Sequence, residues 1–328
     1  MGAIKMGITY SLFFPPTPTL TEDNLLSQQG RVFIVTGGTS GIGFELCRIL
    51  YHAQGTVYLT GRSEESARAS NSRIEALSTA ARGKLDFLEI SLDDLSTIKP
   101  AVTRFLEKED RLDVLFNNAG VSNPPVGSVS PQGHELQLAT NCLGPYLFTQ
   151  LLLPTLISTA NKSPTGSVRV VWTGSIVVDL SAPTSGIDIS DLSHPPKDQQ
   201  KNYTTSKTGN WFLADDLARQ AGSDGVLSIC QNPGNLKSLL TRHMPRIVPL
   251  LVSPLLYHAK FGAYTELWSG LSPELTMEDG GKFVLPWGRL HPNSREDLLT
   301  AIKSKEEGGT GVAEEFLWFC KRETGAFK

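Results

Sequence analysis

The chain has 328 residues, 40% hydrophobic and 19% charged, with a formal net charge of −3. That supplies a substantial core for one large domain, and the absence of any block of like charge argues against a nucleic-acid surface and against an acidic solvating tail. Cys47, Cys142, Cys230 and Cys320 are widely spaced and form no Cys-x-x-Cys pair, which argues against structural zinc and a disulfide framework and fits small buried residues in a reducing compartment.

Residues 1–29 read as an N-terminal arm. The apolar run from Met6 to Phe14 is too short to span a bilayer and lacks the charged start and cleavage site of a secretory signal. Met6 also stands where a myristoylation signal would place Ser or Thr. From residue 31 short β-rich runs alternate with helical stretches. Strands are expected at 31–36, 56–60, 85–90, 112–116, 168–173 and 226–230. Helices are expected at 43–51, 64–79, 136–156 (with Pro145 and Pro154 as interruptions) and 203–220. This alternation implies an α/β fold: a doubly wound parallel sheet of Rossmann type, covered by helices on both faces. Residues 30–328 are read as that single domain.

Two segments break the alternation. Residues 180–201 are rich in Ser, Pro and Asp and read as a loop. Residues 239–262 contain Arg242, His243 and Arg246, followed by an apolar run broken by prolines, and form a candidate substrate lid as a C-terminal elaboration.

The turn Thr36 to Gly43 falls between the first strand and the first helix, with glycines at Gly37, Gly41 and Gly43. Glycines there permit a tight turn and close backbone approach by a ligand. The helix behind them offers unpaired N–H groups and a positive dipole end to a pyrophosphate. Further on, Tyr203 and Lys207 lie one helical turn apart on one face. An ammonium beside a phenol favours the phenolate, so this pair is a candidate general acid/base with a lowered tyrosine pKa. On the same helix, Trp211 and Phe212 read as core or helix–helix packing. The six histidines show no metal-ligand spacing, and no metal site is expected.

Taken jointly, Thr36-Gly37-x-x-x-Gly41-x-Gly43, Asn117-Asn-Ala-Gly120, Asn141, Ser175, Tyr203-x-x-x-Lys207 and Pro233-Gly234 resemble the short-chain dehydrogenase/reductase family, in its order and over residues 30–240. The segment Gly262 to Pro273 is similar to the retinol-dehydrogenase-like branch. Phe14-Pro-Pro, Pro286-Trp-Gly288 and Glu306 to Gly311 resemble its fungal members.

The resemblance implies a catalytic tetrad of Asn141, Ser175, Tyr203 and Lys207. Tyr203 would transfer the proton. Lys207 would lower the tyrosine pKa and bond the nicotinamide ribose. Ser175 would bond the substrate oxygen, and Asn141 would help hold a relay water. It places Gly37, Thr39, Ser40, Gly41, Ile42, Gly43, Arg62, Ser91, Leu92, Asn118, Ala119, Gly120, Tyr203, Lys207, Pro233, Gly234, Leu236 and Ser238 on the cofactor. NAD-preferring relatives carry an acidic residue where this chain has Gly61, and Arg62 follows. A 2′-phosphate is therefore not repelled and can meet a charged fork, which favours NADP(H) over NAD(H). Ser91 departs from the family's Asp, leaving Asp93 or Asp94 to compensate.

The expected activity is NADPH-dependent interconversion of a carbonyl and an alcohol on a small lipophilic molecule, with fungal specialised metabolism as a setting. Imine or enone reduction, isomerisation or cyclisation on the same fold, and a non-catalytic NADP-binding sensor or scaffold, are the alternatives. The Tyr203 helix often pairs across a dimer in relatives, which makes a homodimer an option. The expected location is the cytoplasm, with the apolar start and lid leaving peripheral contact with a bilayer open.

Overall fold

A computed structural model describes residues 10–77, 82–237 and 256–328. Among them, eight strands form one sheet: β1 Val32–Val35, β2 Thr56–Gly61, β3 Lys84–Glu89, β4 Val114–Asn117, β5 Val168–Thr173, β6 Val226–Gln231, β7 Phe283–Leu285 and β8 Arg289–Leu290. The order is β3-β2-β1-β4-β5-β6-β7-β8, and every pairing is parallel except the terminal β7–β8 hairpin. Strand order reverses between β1 and β4. In doubly wound sheets that switch point opens a crevice for ligands at the carboxyl ends of the strands.

The main helices are α1 Gly41–His52, α2 Glu64–Ala76, α3 Ile98–Leu106, α4 Gly144–Ala160, α5 Gln199–Ala221, α6 Ala259–Leu271, α7 Glu296–Ile302 and α8 Val312–Thr324. Side-chain alternation along the strands assigns them to two layers. In β1, Val32 and Ile34 join a core with residues of α3, α4, α5, α7 and α8, while Phe33 and Val35 join a second core with residues of α1, α2 and α6. The expected sheet covered on both faces is therefore present. Trp211 and Phe212 are buried in the first core, as read from sequence. All four cysteines are buried and free.

The structure adds elements that the periodicity did not declare: α3, α6, α7, α8 and the β7–β8 hairpin. Two boundaries also change. The expected loop at 180–201 contains a short helical segment, Ser190–Ser193, and its end belongs to α5. That helix starts at Gln199 because the Asp198 side chain caps the N–H groups of Gln200 and Lys201 at 3.0 and 3.1 Å. The helix expected at 136–156 runs on to Ala160 and carries a π-helical stretch, Ala139–Leu143, between Leu136–Leu138 and α4. Pro145 falls at the start of α4, directly after the π-helical stretch.

Most of the candidate lid lies outside the described residues. Its last positions, from Ala259 to Gly262, form the first turn of α6, a helix packed into the second core through Ala263, Leu267 and Trp268. Those positions are scaffold rather than lid. The N-terminal arm is tied to the domain through its backbone. Arg289 Nη2 donates to the Ser11 carbonyl at 2.7 Å, Asn235 Nδ2 to that of Leu12 at 3.3 Å, and the Tyr257 hydroxyl to that of Phe13 at 3.1 Å. Among the described residues no helix is long and apolar enough to cross a membrane.

Candidate active site

The site forms where β1, β4, β5 and β6 end. In the glycine turn, Gly37 and Gly41 adopt φ of 67° and 55°, the left-handed region that favours glycine. A β-carbon at Gly43 would lie 2.5 Å from the Gly37 carbonyl oxygen and 2.7 Å from Asn118 Nδ2, so the start of α1 presses directly on the turn. Ser40, the N-cap of α1, is exposed and makes no side-chain capping bond. The positive end of the helix thus keeps donors for an anion.

The segment after β4 is locked to this turn. Asn118 Nδ2 donates to the Thr36 carbonyl at 2.8 Å, and the Ala119 N–H to Thr36 Oγ1 at 2.9 Å. Asn118, Ala119 and Gly120 are each partly exposed, as are Thr39 and Ile42, so they line the crevice rather than the core.

At the end of β2, a β-carbon on Gly61 would meet Thr39 Cγ2 at 3.4 Å. Arg62 is exposed, with no hydrogen bond or ion pair to the described residues. Past β3, Ser91 Oγ donates to Asp93 Oδ1 at 2.6 Å. Asp94 is committed to Ser96 and Gln132. Of the two acids that could replace the family's Asp, Asp93 is the one whose carboxylate meets the Ser91 hydroxyl. Leu92 is buried.

On the other side, Gly234 has φ of 92°, with its N–H on Asn232 Oδ1 at 3.0 Å. Leu236 is buried, forms a bridge with Tyr257, and reaches Gly262 of α6, beside Ile42. Ser238 lies outside the described residues. A cluster of Tyr257, Phe261 and Trp287 flanks this loop. The Trp287 ring centre lies 4.6 Å from both other rings, edge-on to Tyr257 and tilted on Phe261, and its indole nitrogen lies 3.4 Å from a β-carbon built on Gly234.

The tetrad residues converge from three elements. A β-carbon on Gly120 would lie 3.2 Å from Asn141 Oδ1 and 3.3 Å from Lys207 Nζ, which places both beside the post-β4 turn. Lys207 Nζ donates to the Thr173 carbonyl at 2.9 Å, and Asn210 Nδ2 donates to the same oxygen at 2.9 Å. Ser175, just past β5, is partly exposed, and its hydroxyl is close enough to the Tyr203 phenol to influence its titration. The Lys207 nitrogen stands 5.7 Å from the centre of the Tyr203 ring.

One expectation changes here, and the bracing of Asn141 comes into view. Asn141 sits in the π-helical stretch, a distortion frequent at functional sites. Its Oδ1 accepts from the Val121 N–H at 2.8 Å, and its amide donates to the Val121 carbonyl at 3.0 Å and to Ser206 Oγ at 2.9 Å. Both amide protons are committed, so the side chain braces the turn beside Tyr203 and Lys207. The tyrosine pKa is not lowered in this arrangement. Burial pushes Tyr203 up to about 12, against an opposing hydrogen bond from Ser175, and burial draws Lys207 down to about 8. Desolvation sets the direction, and the opposing influence comes from Ser175 rather than from the ammonium one turn away. Tyr203 is thereby held as a proton-bearing phenol.

Sequence reasoning missed Glu266 of α6. It is fully buried, with Oε1 accepting from Thr173 Oγ1 at 2.7 Å and from Gln231 Nε2 at 2.8 Å. A carboxylate inside an otherwise apolar helix face was the available signal.

The residues that line this crevice fit a dinucleotide: a glycine cradle that a β-carbon would fill, a helix end with free donors, and a second strand without a carboxylate. The family model for short chain dehydrogenases matches residues 31–184. A short-chain dehydrogenase/reductase of Pestalotiopsis fici, iacJ, is 43% identical over 94% of this chain and 95% of that protein. A short-chain dehydrogenase/reductase of Phomopsis amygdali is 45% identical over 92% of each chain. Another from Emericella nidulans, pkfC, is 44% identical over 88% of this chain and 94% of its own length. The Pseudomonas aeruginosa RhlG/NADP complex shares the fold at 23% identity, with a TM-score of 0.61 over 80% of this chain and 96% of that one. This chain belongs to the short-chain dehydrogenase/reductase family and is an NAD(P)-dependent oxidoreductase.

Proposed function

We propose that the protein is an NADPH-dependent reductase, or the reverse dehydrogenase, acting on a carbonyl or alcohol of a lipophilic small molecule in fungal specialised metabolism. The observation that carries this reading is the convergence of Ser175, Tyr203, Lys207 and Asn141 beside Gly120. Residues 30–328 act as the single catalytic unit, with residues 1–29 as a bracing arm.

NADP(H) held by Gly37, Thr39, Ser40, Gly41, Ile42 and Gly43 would supply or accept the hydride. Arg62 would receive its 2′-phosphate, since Gly61 presents no opposing carboxylate. Ser91 with Asp93, Leu92, Asn118, Ala119 and Gly120 would contact the adenosine half, and Pro233, Gly234, Leu236 and Ser238 the nicotinamide half. In the reducing direction the Tyr203 phenol gives its proton to the carbonyl oxygen. The Ser175 hydroxyl donates to the same oxygen and steadies the charge that develops there. The Lys207 ammonium stands behind Tyr203 and favours loss of that proton. Asn141 holds Val121 and Ser206, so the floor under Tyr203 and Lys207 keeps its shape. The lipophilic character of the substrate rests on the Tyr257, Phe261 and Trp287 cluster beside the Gly234 loop.

The test is to incubate purified protein and NADPH with a metabolite extract of the source organism and with a panel of apolar ketones and aldehydes. A new alcohol with matching NADPH oxidation is expected. NADPH binding without oxidation across extract and panel would favour a sensor or scaffold instead.

A further inference from the structure

Glu266 is the buried acid that the proposed chemistry leaves unused, and its place is specific. Its Oε1 is gripped by the Thr173 hydroxyl at 2.7 Å and by Gln231 Nε2 at 2.8 Å, and Gln231 Nε2 also reaches Thr173 Oγ1 at 3.2 Å. Its Oε2 is buried with no hydrogen-bond partner among the described residues. The same Thr173 offers its carbonyl to Lys207 Nζ. One residue of β5 therefore holds the carboxylate through its side chain and the ammonium through its main chain.

We propose that Glu266 is a positioning residue for Lys207, a fixed counter-charge that keeps the buried ammonium charged and seated on the Thr173 carbonyl. The proposal rests on the reading that Lys207 serves Tyr203. A buried cation without a compensating charge is costly, and a carboxylate anchored by two donors supplies that compensation with no freedom to swing away.

The groups facing Lys207 among the described residues are Tyr203 on its own helix, Cys142 from the π-helical stretch, Cys230 from β6 and Glu266 from α6. Burial pushes both thiols far up, so they stay neutral in the working range. Glu266 and Lys207 are the pair that titrates near neutrality: burial raises the carboxyl to about 7 and lowers the ammonium to about 8. Ionised Glu266 favours the charged form of Lys207. Its removal therefore moves the basic limb of carbonyl reduction to lower pH.

The experiment is the pH profile of kcat/KM for NADPH-dependent reduction in the wild type, Glu266→Gln and Thr173→Val. Glutamine keeps an oxygen for Thr173 and Gln231 and removes only the charge. Its basic limb should fall by about one pH unit, a roughly fivefold loss at pH 8 that approaches tenfold at higher pH and vanishes near pH 6, where Glu266 itself is protonated. Thr173→Val keeps the shape and removes one donor to the carboxylate, so it should move the limb the same way by less. It also serves if Glu266→Gln does not fold. A limb left in place, or a loss equal at every pH, would overturn the proposal and leave Glu266 a packing residue. If the wild type reduces nothing, the reading of Tyr203 and Lys207 fails first, which separates the two outcomes.

Discussion

Replacing Gly61 by Asp and Arg62 by Ala should turn the protein from NADPH toward NADH. Space permits the first change. The new β-carbon would meet Thr39 at 3.4 and 3.6 Å and Phe87 at 3.7 Å, ordinary contacts that need no backbone shift. Arg62 is exposed and unpaired with the described residues, so its loss breaks no internal bond. A charge-assisted hydrogen bond is worth about 1.5–3 kcal/mol. Two like charges about 4 Å apart repel by about 4 kcal/mol at an effective dielectric near 20. Both act at an exposed site, and salt and solvent reduce them to about 1–2 kcal/mol each. Together they amount to about 3 kcal/mol, or roughly a hundredfold change in the ratio of kcat/KM for NADPH over NADH. The assay is steady-state kinetics with both cofactors at low ionic strength and again at high salt, where the arginine's share should shrink. A ratio unchanged in the double variant would refute the argument that Gly61 and Arg62 read the 2′-phosphate.

Two further outcomes follow from the same geometry. Gly43→Ala would drive a β-carbon to within 2.5 Å of the Gly37 carbonyl and 2.7 Å of Asn118 Nδ2, both parts of the rigid turn. It should cost on the order of 1–3 kcal/mol in calorimetric unfolding and sharply weaken NADPH binding; a protein of wild-type stability and affinity would show the turn to be softer than it looks. In the wild type, carbonyl reduction needs Tyr203 protonated, which holds up to about 12, and Lys207 charged, which holds up to about 8. Reductive kcat/KM should therefore be flat on the acid side of that limb and decline as pH rises through about 8. A rate that climbs through this range would contradict the assignment.

The fold was legible where local chemistry and long-range structure agree. Buried β-branched runs such as Val32–Val35 and Val168–Thr173 could only be central parallel strands, and the glycine turn behind β1 announced a ligand cradle. Helix α3 was legible in principle. Ile98, Ala101, Val102 and Phe105 are its buried stripe, but Pro100 disguises it, although a proline in the first turn is harmless. The β7–β8 hairpin was not legible, because strands of three and two residues carry no period. The site was legible as a set of residue types and less so as physics. An i,i+4 argument gives Tyr203 a lowered pKa, while the folded protein raises it, because desolvation depends on everything packed around the phenol. Glu266 escaped for a similar reason. Its partners Thr173 and Gln231 come from distant parts of the chain, and nothing in the sequence near α6 announces them.

The most direct test of the account is the turnover of Tyr203→Phe with a carbonyl substrate that the wild type reduces. Phenylalanine preserves the ring and removes only the proton donor. The expected kcat is lower by about 10²- to 10⁴-fold, the usual share of a general acid, with NADPH still bound as read by calorimetry. Full turnover in Tyr203→Phe would contradict it.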